Sequence, residues 1–137
     1  MQIRNILVGY DDSTPAKRAL TLAEDLAGRY GARVVLVTVL RPLDIPVDVM
    51  APTETQVMGA RRALDREADR IRGQGIRVVA FVEVGEPART LLEIAERLEI
   101  DLTILGRSGK GALARLMMGS VTTSLLHKTT KPIMVAP

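Results

Sequence analysis

The chain contains no cysteine, which removes disulfides, thiolate nucleophiles and cysteine-ligated metals from consideration. Its one histidine, His127, leaves conventional zinc sites without ligands. There is no tryptophan, and Tyr10, Tyr30 and Phe81 are the only aromatics, so stacking platforms for bases are scarce and nucleic acid is a poor partner. The longest nearly unbroken apolar run, Val34 to Leu40, falls far short of the ~18 to 20 residues of a spanning helix. The first residues lack a signal-peptide layout, and a soluble, cytoplasmic protein with no membrane partner is expected. Acidic residues are missing from the last quarter. Residues 102–137 hold Arg107, Lys110, Arg115, Lys128 and Lys131 and no Asp or Glu, within a total charge of only +3. That stretch is suited to facing an anion, although a short basic tail also arises by chance.

What remains is ordinary for a globular protein: 137 residues, 47% apolar and 26% charged, enough for one domain over 1–137 with one core. Ile3 to Gly9 reads as a strand. Ser13, Thr14 and Pro15 then start a helix, with a hydroxyl at the cap and proline in the first turn. Ala16, Ala19, Leu20, Ala23, Leu26, Ala27 and Tyr30 form its apolar stripe, and Gly31 ends it. Val34 to Leu40, apolar and β-branched, fits a parallel strand covered on both faces. Arg41 to Pro52 carries three prolines and reads as a long loop. Thr53 and Gln56 make a capping box for a helix whose stripe is Val57, Ala60, Leu64, Ala68 and Ile71. A strand over Ile76 to Val84 follows, then a helix from Pro87 with Ala88, Leu91, Leu92, Ala95 and Leu98 aligned. Asp101 to Gly106 is a strand, Gly119 to Thr129 a helix, and Pro132 to Ala136 the last strand.

Strands alternating with helices predict an α/β fold, an open parallel sheet doubly wound with helices on both faces and right-handed crossovers. In such sheets ligands sit beyond the carboxyl ends of the strands where the winding reverses. The residues at those ends are Gly9 to Ser13 and Gly106 to Gly111. The glycine-rich segment after Gly106 follows a strand and precedes a helix, where backbone amides can approach a phosphate closely. It has no Gly-x-x-x-x-Gly-Lys-Ser/Thr register and so is not a P-loop. Gly109 to Ala114 fits a loose Gly-x-Gly-x-x-Ala dinucleotide pattern, but no acid follows Asp101 to hold a ribose.

The spacing Gly106-x2-Gly109-x9-Gly119-Ser120, with Asp11-x-Ser13 after the first strand and Gly85-x-Pro87 before the third helix, resembles the ATP-binding branch of the universal stress protein family. The resemblance spans the whole chain. It implies a Rossmann-like five-stranded parallel sheet of order 3-2-1-4-5, bound ATP with Mg2+ or Mn2+, and a homodimer joined through the last strand at Ile133, Met134 and Val135. It also implies adenosine against Gly9, Tyr10, Asp11 and the backbone of Val39, under Leu105 and Gly106. The phosphates would meet Gly109, with Ser108 beside it, and Gly119, Ser120, Val121 and Thr122. Two positions depart from the family's pattern: Asp12 stands where glycine is common and Thr38 where histidine is common.

The residues themselves leave several roles open. Asp11 is either a turn residue or a nucleotide contact, and Asp12 either caps the first helix or joins a metal, with capping preferred. Lys110 and Arg115 are phosphate partners or solvated charges. His127 reads as a helix-surface residue without triad partners. Leu116, Met117 and Met118 are core or an adaptable contact, with core preferred. Ile133 to Ala136 is an apolar edge strand that a second subunit would cover. Three functions compete: a stress-response protein with ATP as structural ligand or switch and at most slow hydrolysis, a metal-dependent ATPase using Asp11 or Asp12, and a nucleotide-free interaction module.

Overall fold

A computed structural model describes residues 2–42, 53–107 and 120–137. The elements run β1 (Asn5–Gly9), α1 (Thr14–Tyr30), β2 (Arg33–Leu40), α2 (Glu54–Arg72), β3 (Val78–Val84), α3 (Pro87–Arg97), β4 (Leu102–Gly106), α4 (Ser120–Lys128) and β5 (Ile133–Ala136). The strands form one parallel sheet of order β3-β2-β1-β4-β5, as the resemblance implied. The expected Arg41 to Pro52 loop falls largely outside the described residues, as does the glycine-rich segment over 108–119.

Side-chain alternation along each strand sorts the core into two layers. Ile6, Val8, Val34, Leu36, Leu102 and Ile104 point to one face, where Ala19, Leu20 and Ala23 of α1 and Leu64, Ala68 and Ile71 of α2 cover them. Leu7, Val35, Val37 and Leu105 point to the other, under Ala88, Leu91 and Ile94 of α3 and Leu125 of α4. Helix starts follow the cap chemistry. The Ser13 hydroxyl accepts from the Ala16 N–H, and the Thr53 and Gln56 side chains form the reciprocal box at α2. Gly31 ends α1 in the left-handed conformation (φ 66°).

Several details differ from the sequence expectation. The strands β1 and β3 begin two residues later than Ile3 and Ile76, and β4 begins one residue after Asp101. That carboxylate instead accepts the N–H groups of Arg4 and Asn5 (2.8 and 3.0 Å), closing the entry of β1. Tyr30 continues the α1 stripe in sequence but is 60% exposed, because the helix ends on it. Ile94, three residues past Leu91, is a fully buried member of the α3 stripe that the expectation omitted.

Candidate functional site

The site grows from the carboxyl ends of β2, β1 and β4, three neighbouring strands. Gly9, Val39 and Leu105 all lie toward the α3 and α4 face. A Cβ on Gly9 would come within 2.8 Å of the tip of Leu105. As the chain leaves β1, the Tyr10 N–H donates to the Val37 carbonyl and the Thr38 hydroxyl donates to the Tyr10 carbonyl, both at 2.8 Å. Thr38, the polar break in the apolar run of β2, thereby fixes the exit of β1. The sequence marked it by that break and by its departure from the family's pattern.

The turn into α1 is held by its own side chains. Asp11 Oδ1 accepts from the Ser13 N–H at 3.0 Å, an Asx turn. Ser13, not Asp12, is the helix cap. The capping reading of Asp12 is therefore corrected: its backbone is left-handed (φ 64°), its Oδ1 accepts from the Tyr10 hydroxyl at 3.1 Å, and it pairs with Lys17 at 3.6 Å. Such a φ is one that glycine adopts without steric cost and that a residue bearing a Cβ must be held in. The Tyr10 ring points away from the crevice into the α1/α2 layer and is 4% exposed. Burial, then the charge of Glu67 and the bond to Asp12, push its phenol well above the usual range, so it remains a donor.

On the β4 side, a Cβ on Gly106 would lie 2.7 Å from backbone and side-chain carbons of Pro15 and 2.9 Å from the Ala16 nitrogen. The end of β4 thus presses directly on the first turn of α1, and this packing alone requires glycine. The Arg107 N–H donates to the Ala136 carbonyl at 2.6 Å. Beyond it, Ser108, Gly109 and Gly119 lie outside the described residues, together with Lys110, Arg115 and the Leu116 to Met118 patch. The chain returns with Ser120 opening α4. Val121 is half-buried against the α3/α4 layer. Thr122 is 2% exposed, with its hydroxyl 3.5 Å from the Gly106 carbonyl, so it ties α4 to β4. His127 lies exposed in the last turn of α4.

Across the crossover into α3, the Glu86 carboxylate accepts from the N–H groups of Arg89 (2.8 Å) and Ala88 (3.2 Å), which hold it below the usual carboxylate range. Among the described residues no three His, Cys, Asp or Glu side chains gather as a metal site. Two open hollows of about 450 and 460 Å³ lie at the opposite, amino end of the sheet. Both arginines of the first are occupied, since Arg72 donates to the Val78 carbonyl and Arg77 to the Gly31 carbonyl. No described helix is long and apolar enough to cross a membrane.

The sequence profile of the universal stress protein family matches residues 2–137. A Thermus aquaticus relative, a universal stress protein in the QAH/OAS sulfhydrylase 3′ region, is 28% identical over 138 residues, covering 96% of this chain and 97% of the relative. Other relatives are longer: the chain spans 47% of a universal stress protein of Mycolicibacterium smegmatis. Among solved structures, MJ0577 of Methanocaldococcus jannaschii superposes with a TM-score of 0.85 at 25% identity, covering 99% of this chain and 96% of that one. The Archaeoglobus fulgidus universal stress protein in complex with dAMP superposes with a TM-score of 0.76 at 23% identity, covering both chains completely.

Proposed function

The chain belongs to the universal stress protein family, and from that premise we propose that it binds ATP with Mg2+ or Mn2+ in the crevice between β1 and β4. The observation that carries this reading is that the glycine-rich segment joins, in sequence, the carboxyl end of β4 to the amino end of α4. It leaves β4 where the winding reverses, since β1 pairs with β2 on one side and β4 on the other. It then feeds the amino end of α4, whose first N–H groups suit an anion. Residues 102–137 carry no acid, so this part of the chain brings no negative charge against an anion. That the fold accommodates an adenine mononucleotide is supported by the A. fulgidus protein, whose structure contains dAMP.

In this reading Gly9, Val39 and Leu105 line the adenosine end, with Asp11 at its rim. Tyr10 contributes through its backbone, and Gly106 by letting β4 approach α1. Gly109, with Ser108 beside it, and Gly119, Ser120, Val121 and Thr122 offer backbone donors to the phosphates of the nucleotide bound with its divalent ion. Asp11 and Asp12 accept bonds from Ser13 and Tyr10, which gives each a role in the turn, and no in-line lysine of a P-loop accompanies them. Hydrolysis is accordingly slow at most, and the nucleotide acts as a structural ligand or switch in a stress response of the cytoplasm. A homodimer forms through β5, where Met134 is 36% exposed at the sheet edge.

The test is chemical. Freshly purified protein is denatured, the supernatant is chromatographed for nucleotide, and emptied protein is titrated with ATP and magnesium. Bound adenine nucleotide or saturable binding is expected, and Gly119→Val is expected to abolish it. No nucleotide and no binding would leave the interaction-module reading in its place.

A further inference from the structure

We propose that Tyr10 is a positioning residue: from the opposite face of the sheet, its hydroxyl clamps Asp12 and so holds the turn from β1 into α1 in the shape the crevice needs. The consequence for affinity rests on the nucleotide reading above; the clamp itself does not.

The Tyr10 backbone is tied on both sides, by the Val37 carbonyl and the Thr38 hydroxyl, and its ring is locked in the α1/α2 layer. Its hydroxyl is therefore a fixed point. The one group described as accepting from it is Asp12 Oδ1, at 3.1 Å. Asp12 is left-handed at φ 64°, a conformation unfavourable to residues bearing a Cβ, though aspartate tolerates it better than most. Lys17 lies 3.6 Å from the same carboxylate, with both side chains more than half exposed, and such pairs contribute little. The phenol, fixed by its packing, is a contact suited to hold the unfavourable dihedral.

That dihedral lies between two groups with work to do. On one side Asp11 turns its carboxylate onto the Ser13 N–H; on the other Ser13 caps α1, whose Pro15 abuts Gly106. Relaxing residue 12 would swing Asp11 relative to the α1 turn and to the end of β4. A glycine at 12 adopts positive φ without a penalty and has no need of the clamp. Tyr10 and Asp12 thus act as a pair that fixes a positive φ which glycine would adopt without being held there. A preorganised turn costs less to order when a ligand binds.

The experiment compares wild type, Tyr10→Phe, Asp12→Gly and the double variant by two readouts: amide exchange of the Ser13 N–H, and affinity for ATP with magnesium. Tyr10→Phe keeps the ring and its packing. It is expected to speed Ser13 exchange and to weaken ATP binding about three- to tenfold, the range one lost hydrogen bond supports. In the Asp12→Gly background the same change is expected to alter neither by more than about twofold. Unchanged Ser13 exchange in Tyr10→Phe, or equal losses in both backgrounds, would overturn the clamp. Failure of every variant and of wild type to bind ATP would overturn the nucleotide reading instead, and the exchange data would still decide the clamp.

Discussion

Gly106 and Gly28 are the same residue type under opposite constraints. At Gly106 an added Cβ meets the backbone of α1 at 2.7 Å, whereas at Gly28, on the exposed face of α1, it meets nothing within 4 Å. Gly106→Ala is therefore expected to destabilise by about 2 kcal/mol through overpacking, and Gly28→Ala to stabilise by about 0.5 kcal/mol through helix propensity; thermal unfolding of both variants checks the pair, and equal signs would refute it. Glu86 makes a pH prediction. Its carboxyl is held below its ordinary value of 4.5, first by the Arg89 N–H, so its contribution is present above that pH and is lost as acid carries it through the lower, folded value. Glu86→Ala should cost about 1 kcal/mol at pH 7, and its gap to wild type should close below pH 4.5 in denaturant titrations. Asp12 shows what a sequence conceals at this scale. Its type fits a cap, and only φ and the Tyr10 contact reveal a different task.

Among elements, the α2 start was legible because Thr53 and Gln56 are three residues apart and act on each other's backbone. The tie between α1 and α2 was not, because its partners are 46 residues apart. Arg70 grips Glu24 through both terminal guanidinium nitrogens, Nη1 and Nη2, at 2.6 and 3.1 Å, and also takes Glu67. Glu24 is only 10% exposed in its side chain, so this pair is better shielded than the others on the surface. A double-mutant cycle on Arg70 and Glu24 is expected to show coupling of about 1 kcal/mol, which lysine at 70 should not restore because it lacks the planar fork. Additive losses would contradict it. Two other α2 arginines treat the sheet edge: Arg72 and Arg61 donate at 3.0 Å to the Val78 and Ala80 carbonyls of β3.

At the scale of the molecule, strand and helix order could be read because apolar runs, caps and glycines alternate locally, and order alone implies a doubly wound sheet. The site was legible only as a position, the ends of β1 and β4. Which side of the sheet each residue faces emerged from packing: Gly9, Val39 and Leu105 share a face, and Tyr10 opposes them. The two sheet edges also differ, with β3 engaged by α2 arginines and β5 presenting Met134. If β5 joins two copies, Met134→Lys should reduce the light-scattering mass from dimer to monomer, and an identical mass for both proteins would remove that interface.

The central claim is that an adenine nucleotide occupies the crevice at the carboxyl ends of β1 and β4. Backbone amide shifts followed during titration with ATP and magnesium test it most directly. The account predicts shifts concentrated at residues 9–13, 105–107 and 120–122, with residues 2–4, 31–33 and 75–77 at the opposite end unmoved. Shifts confined to that opposite end, or none at saturating nucleotide, would contradict it.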